Sequence, residues 1–233
     1  MKNNQQAPGF YRFHAGDIEV ICVNDGTLSS DINAVVGVSV EQARALFDES
    51  HFPIEVRNAT NNYIIRSQGR TALVDTGGGP YLDFTAGKLL QNSAAAGISP
   101  ADIDTILFTH IHPGHCSGLM DINWKKVFPH AVLKMHAAEF EFWLSEDPLS
   151  KRIEHVKHEA DHVIRFLTPY LDQIELFEGG EVFPGVNARA LHGHTPRAYR
   201  LPDCFARRGT PDLGRCDSLA RRAVRNTGCC YDL

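Results

Sequence analysis

Two features of the chain predict a layered α/β fold: apolar runs of strand length alternate with segments of helical period, and turns bearing Gly or Pro mark most of the changes between them. A third observation sets the scale. With 233 residues, 43% of them apolar, the chain can bury a sizeable core and is neither a disordered chain nor a disulfide-stapled miniature.

Taken in order, residues 17–23 read as an apolar strand that ends in the turn Asn24-Asp25-Gly26. Residues 62–66 and 71–75 pair as a hairpin across Ser67-Gln68-Gly69-Arg70, and Thr76-Gly77-Gly78-Gly79-Pro80 stops its second strand. A helix is predicted over 82–96, closed by Gly97, and Ser99-Pro100-Ala101-Asp102 opens a short turn into a strand at 105–109. Residues 131–135 form a further strand, 137–144 and 148–167 read as helices, and strands follow at 173–177 and 186–191.

Composition narrows the function classes. A net charge of −5 lacks the basic footprint of a nucleic-acid binder, so a small-molecule substrate is the expected partner. No apolar run approaches the length of a membrane span, and the Asn/Gln-rich start does not read as a secretory signal, so a cytoplasmic location is expected.

The average hides a break at Pro196. All 12 His lie at or before His194, whereas Cys204, Cys216, Cys229 and Cys230 fall in residues 197–233. That tail has eight Arg, four Asp, no Lys and no Glu, giving it a charge of +4 against −9 for the rest. Its cysteine intervals match no zinc-ligand pattern. We therefore divide the chain into a body, 1–196, and an atypical Arg/Cys-rich tail, 197–233.

The chemistry concentrates in Thr109-His110-Ile111-His112-Pro113-Gly114-His115, where an apolar strand runs into a loop with three imidazoles within six residues. Alternate residues at a strand end point the same way, so His110 and His112 can converge on one ion. A fourth imidazole is available from His192 or His194 in Leu191-His192-Gly193-His194-Thr195-Pro196. By contrast His155, His158 and His162, spaced as ligands on one helix face, lie opposite the apolar stripe of Ile153, Val156, Ala160, Val163, Ile164 and Leu167 and are expected to face solvent.

At these residues the chain resembles the metallo-β-lactamase fold family, whose hallmark is His-x-His-x-Asp-His after a strand and a later Gly-His-Thr-Pro-Gly-His. The resemblance covers residues 17–196 and includes Asp75-Thr76-Gly77 upstream. Phe128-Pro129-His130-Ala131 and the segment from Glu139 to Ser145 resemble the branch containing methyl parathion hydrolase and relatives of the lactonases. The resemblance implies an αβ/βα four-layer sandwich of two sheets flanked by helices, here with its second half incomplete.

It also implies one or two divalent metals, with Zn2+ as the first expectation: His110, His112 and His194 would hold the first and His115 would belong to the second. A homodimer is implied by relatives of the branch alone. The implied activity is hydrolysis of an ester, lactone or organophosphate-type bond by a metal-bound hydroxide, impaired in this chain. The alternatives are a non-catalytic vestigial metal-binding product and a glyoxalase-type thioester hydrolase.

Two departures underlie that impairment. Gly114 stands where the family has Asp, removing an anionic ligand and the usual candidate for steering the bound water. Beyond Pro196 the family's continuation is missing, yet codons open to residues 197–205, regrouped by one base, can encode Gly-His-Thr-Gly-Tyr-Arg-Ile-Ala-Ser. From Asp212 the same regrouping permits Ile-Trp-Gly-Asp-Val-Thr-His and then Leu-Pro-Ala-Val-Gln-Phe. We read the tail as out of frame, the alternative being a genuine basic, Cys-bearing extension.

The sequence assigns no side chain as a catalytic acid or base. Asp75 is expected to form the turn rather than to support the metal ligands from behind. Phe47, Phe52, Trp124, Phe142 and Trp143 are candidate pocket walls, although aromatic residues of this kind more often belong to the core.

Overall fold

The computed structural model describes residues 9–30, 32, 38–49, 56–145, 156–190 and 199–200. Their strands are β1 (Phe10–Ala15), β2 (Ile18–Ser30), β3 (Val56–Ser67), β4 (Arg70–Val74), β5 (Thr105–Leu107), β6 (Val132–His136), β7 (Ile174–Phe177), β8 (Gly180–Phe183), β9 (Val186–Ala190) and β10 (Tyr199–Arg200). The helices are α1 (Val40–Glu49), α2 (Leu89–Ala95), α3 (Pro113–Cys116), α4 (Ala137–Leu144) and α5 (Lys157–Leu167).

Strands β1 to β7 lie side by side in chain order. The first four form an antiparallel meander, and β4 to β7 continue in parallel. Strands β8, β9 and β10 make a second, antiparallel sheet.

The alternation of strand side chains sorts the core into two layers. Ile64, Leu73 and Ile106 face the helices and pack with Leu89, Trp143, Val163, Phe166 and Leu167. Their neighbours Ile65, Ala72, Val74 and Leu107 face the second sheet and meet Val182, Phe183, Val186 and Ala188. This order of helices, sheet and sheet is the expected α/β sandwich as far as the described residues reach.

The hairpin forms as expected, with Tyr63 opposite Val74 and Arg66 opposite Thr71. Gln68 and Gly69 both take positive φ, 50° and 76°, the primed turn that matches strand twist. The Ser99 capping box forms with Asp102, and α4 has the bounds expected of it.

Elsewhere local signals were overruled. The turn expected at Asn24-Asp25-Gly26 is a bulge inside β2, whose register against β3 shifts there. Asn24 Oδ1 accepts from the Gly26 amide at 3.0 Å, and Gly26 has φ 116° with Thr85 O only 2.0 Å from where a Cβ would stand. The bulge turns the fully buried Asp25 carboxylate onto the amides of Gly78 and Leu89, both at 2.9 Å.

That second contact explains why the helix predicted from residue 82 begins only at Leu89. Asp83 accepts from the Thr85 amide and hydroxyl, both at 2.9 Å, and makes residues 82–88 a loop, while Asp25 caps the first amide of α2. Strands β1, β8 and β10 and helix α1 add elements not anticipated from the sequence. Among the described residues no helix is long and apolar enough to cross a membrane. The expected boundary at Pro196 lies outside the described residues, as does the tail apart from Tyr199–Arg200 in β10.

Candidate metal centre

The histidine turn sits where the parallel strand β5 ends and α3 begins. All three residues of β5 are buried, as befits a central strand, and Phe108 and Ile111 continue into the core on either side of His110. His112 is extended (φ −101°, ψ 161°) and immediately precedes α3, whose first residue, Pro113, is preset for a helical start.

Backbone bonds lace this turn to the end of β4. The Thr76 amide donates to His115 O at 2.8 Å, the Thr76 hydroxyl donates to the same oxygen at 2.9 Å, and the Gly118 amide donates to Gly77 O at 3.1 Å. The two chains approach so closely that a Cβ on Gly118 would lie 1.8 Å from Thr76 O. Glycine is required there by contact.

Within this frame three of the four expected ligands come together. The His110 and His112 rings lie 4.9 Å apart edge to face, and the His110 and His115 rings lie 3.9 Å apart. His110 and His112 are buried, whereas the His115 side chain is 33% exposed, so the cluster opens at His115. His194, and with it His192, lies outside the described residues.

Asp75 does more than make the turn expected of it. Its φ of 56° is a turn conformation, but its carboxylate also accepts from the Thr109 amide at 2.9 Å and the Thr109 hydroxyl at 2.8 Å. His115 Nδ1 lies 2.9 Å from the same carboxylate. An ionised carboxylate only accepts, so His115 carries its proton on Nδ1 and presents a bare Nε2.

The Thr109 hydroxyl has spent its proton on Asp75, so the 3.1 Å contact to His110 Nδ1 is a donation from the imidazole. His110 therefore carries its proton on Nδ1 and its lone pair on Nε2. One carboxylate thus sets the tautomer of two imidazoles, the outer support that metal-ligating histidines require.

A second buried carboxylate holds the middle of the turn. Glu139, 1% exposed on α4, accepts from the Ile111 amide at 3.1 Å and from Trp143 Nε1 at 3.2 Å. The Trp143 ring stands edge-on to His112 at 5.6 Å. Asp25 and Glu139 were not singled out in the sequence as site residues; an acid inside an otherwise apolar stretch was the available signal.

Phe142 and Trp143 are core residues rather than pocket walls. Trp124 packs against Phe166 at 4.9 Å with Arg165 over its ring at 4.2 Å, Phe47 is half-buried on α1, and Phe52 lies outside the described residues.

The helix α5 also departs from expectation. His158 is exposed and His155 lies outside the described residues, but His162 turns inward, its Nε2 2.7 Å from Ser117 Oγ and its ring stacked on Phe166 at 4.4 Å. Burial, with Arg165 nearby, holds its pKa below the usual 6.5. The helical stripe alone missed this because α3 packs against the flank of α5 rather than its centre.

Among the described residues no three His, Cys, Asp or Glu side chains already converge to hold a metal ion. The donor set is nonetheless chemically suited to one, since two imidazoles oriented through Nδ1, with their lone pairs on Nε2, sit beside a third imidazole in a buried turn. At Gly114 the missing carboxylate leaves room: a Cβ would meet only the Leu28 and Leu82 methyls, at 3.6 and 4.0 Å.

Solved structures share this arrangement of layers. The chain is 24% identical to the hydrolase AbOPH of the beta lactamase superfamily (TM-score 0.70, covering 84% of this chain and 69% of that one). It is 22% identical to AidC, a dizinc quorum-quenching lactonase (TM-score 0.72, 82% and 69% covered). It is 20% identical to a probable metal-dependent hydrolase from Staphylococcus aureus (TM-score 0.64, 78% and 67% covered). At these identities the likeness is one of fold. No curated protein matches the chain. The sequence profile of the metallo-beta-lactamase superfamily matches residues 56–202, more than half the chain and the whole histidine turn, and the chain belongs to that superfamily.

Proposed function

We propose that the chain is a metal-dependent hydrolase of an ester, lactone or organophosphate-type bond in a small molecule, working well below the capacity of its fold. The observation that carries this reading is the Asp75–Thr109–His110 and Asp75–His115 network, which engages Nδ1 of two imidazoles in the turn after β5 and puts their lone pairs on Nε2. A bound divalent ion, with Zn2+ the first expectation, supplies Lewis acidity there and lowers the pKa of water to about 7.

The residues of the chain account for the rest. His110, His112 and, by resemblance, His194 would hold the ion, and His115 borders it on the open side. Asp75 keeps Nδ1 of His115 protonated so that Nε2 remains a lone-pair donor, and it does the same for His110 through Thr109. Glu139 fixes the peptide between His110 and His112, and Trp143 and Ile111 keep water from the buried side of the cluster. An open side at His115 gives a substrate its approach.

Gly114 favours a second reading, a metal-binding product without useful turnover, because position 114 supplies no carboxylate to the site. The two readings part in one assay. Purified chain loaded in turn with Zn2+, Mn2+ and Co2+ is offered an N-acyl homoserine lactone, an aryl ester, a phosphotriester and a glutathione thioester. Slow turnover abolished by EDTA supports the hydrolase, and the preferred substrate separates ester or lactone chemistry from the glyoxalase type. Bound metal with no turnover on any of them supports the vestigial product.

The tail belongs to this proposal. An out-of-frame segment after Pro196 would deprive the second sheet of its continuation beyond β10 and depress both stability and activity. Resequencing the gene across codons 190–235 tests it: removal of one base restores the Gly-Asp turn and predicts a better enzyme, whereas the same sequence again rejects a recording error.

A further inference from the structure

The charge balance of the histidine turn leads to a residue on α5. A divalent ion held by imidazoles alone keeps its full charge, and a carboxylate in its shell is the ordinary remedy. The buried carboxylates of the turn are already committed: Asp75 to Thr109 and His115, Glu139 to Ile111 and Trp143. Position 114 has none to offer.

Glu159 reaches one imidazole of the cluster, that of His112. Its Oε2 lies 3.6 Å from His112 Nε2, with the glutamate side chain 36% exposed and the imidazole 5% exposed. Two ligands about 2.1 Å from one tetrahedral ion stand about 3.4 Å apart, so the observed separation is close to that of two atoms sharing a metal. The helix that carries Glu159 is also fixed in place. One turn further on, His162 meets Ser117 Oγ at 2.7 Å, and the Ser117 hydroxyl donates to Pro113 O at 2.6 Å, which ties α5 to the first residue of α3, next after His112 in the chain.

We propose that Glu159 is a metal-ligating carboxylate of this chain, supplied from α5 beside His112 where Gly114 supplies none. The proposal rests on the reading of the turn as a metal centre. It also explains how a chain with Gly at 114 keeps a charged ligand: the acid comes from the opposite wall of the site.

The test is Co2+ titration of the full chain, followed by the visible absorbance of the bound ion and by metal content, for the unmodified protein, Glu159→Gln, and the exposed-face control His158→Gln. A melting curve on each confirms folding, which a partly exposed site tolerates. The expected result is Co2+ binding weakened at least tenfold in Glu159→Gln with an altered absorption band, an unchanged control, and recovery of affinity when Gly114→Asp is added to Glu159→Gln. Glu159→Gln binding Co2+ as tightly as the unmodified protein, with the same band, overturns the proposal and leaves the metal centre standing. An unmodified protein that takes up no Co2+ overturns the metal centre and this proposal with it.

Discussion

The two sides of α3 are built to different tolerances. On one side Gly118 lies against β4 with no room for a methyl group, and Gly77 is similarly closed, a Cβ there falling 2.5 Å from Asp25 Oδ2. On the other side Gly114 has only two methyl groups at ordinary van der Waals distance. The difference teaches that a glycine can be demanded by packing or merely permitted by it. At Gly118 the structure dictates the residue; at Gly114 the consequence is chemical, a carboxylate left out of the site.

The widest break in that comparison comes from adding one methyl group to each position. Gly118→Ala forces the β4 end and α3 apart and is expected to cost about 4 kcal/mol or more, or to prevent folding. Gly114→Ala, in a helical position with space around it, is expected to be neutral or to stabilise by up to about 1 kcal/mol. Urea midpoints of the two variants decide it, and equal losses would erase the distinction.

The buried acids sharpen the same contrast. Glu139→Ala leaves the Ile111 amide and Trp143 Nε1–H without their acceptor, at an expected cost of about 3 kcal/mol in urea denaturation. Asp75→Asn keeps the volume but lets His115 and His110 change tautomer, and Zn2+ affinity by competition with a chelating dye is expected to fall 10- to 100-fold.

The smallest effect concerns the α5 contact. His162→Phe retains an aromatic ring beside Phe166 but loses the bond to Ser117, an expected loss of about 1 kcal/mol. It also carries a pH signature. Because the folded pKa of His162 lies below 6.5, the unfolded chain binds more protons in the window beneath 6.5, so stability rises with pH through that window and is complete above it. His162→Phe should flatten that part of the stability profile, and an unaltered slope between about pH 5 and 7 would show that another group is responsible.

Much of the site was legible because its residues are neighbours in the chain. His110, His112 and His115 follow one short apolar strand, and their spacing needs nothing from elsewhere to announce a cluster. The roles of Asp25, Asp75, Glu139 and Glu159 were not legible in the same way. Each is one acid in a stretch that looks locally like a turn or a helix, and each has a partner well away in the sequence, as Asp75 has in Thr109 and His115 and Glu139 has in Ile111. Asp25 shows the physical reason: the local signal for a turn lost to a bulge because the bulge sets a carboxylate on amides of residues 78 and 89.

By itself the sequence determined the α/β class, the central hairpin, the histidine turn and the absence of a carboxylate at position 114, since periodicity, turn chemistry and close spacing are all local properties. Only the tertiary structure decided which carboxylates orient the imidazoles, where α2 begins, which glycines cannot be replaced and that His162 faces α3. Those outcomes depend on distances between segments far apart in the chain, where packing and the satisfaction of buried polar groups outweigh local preference.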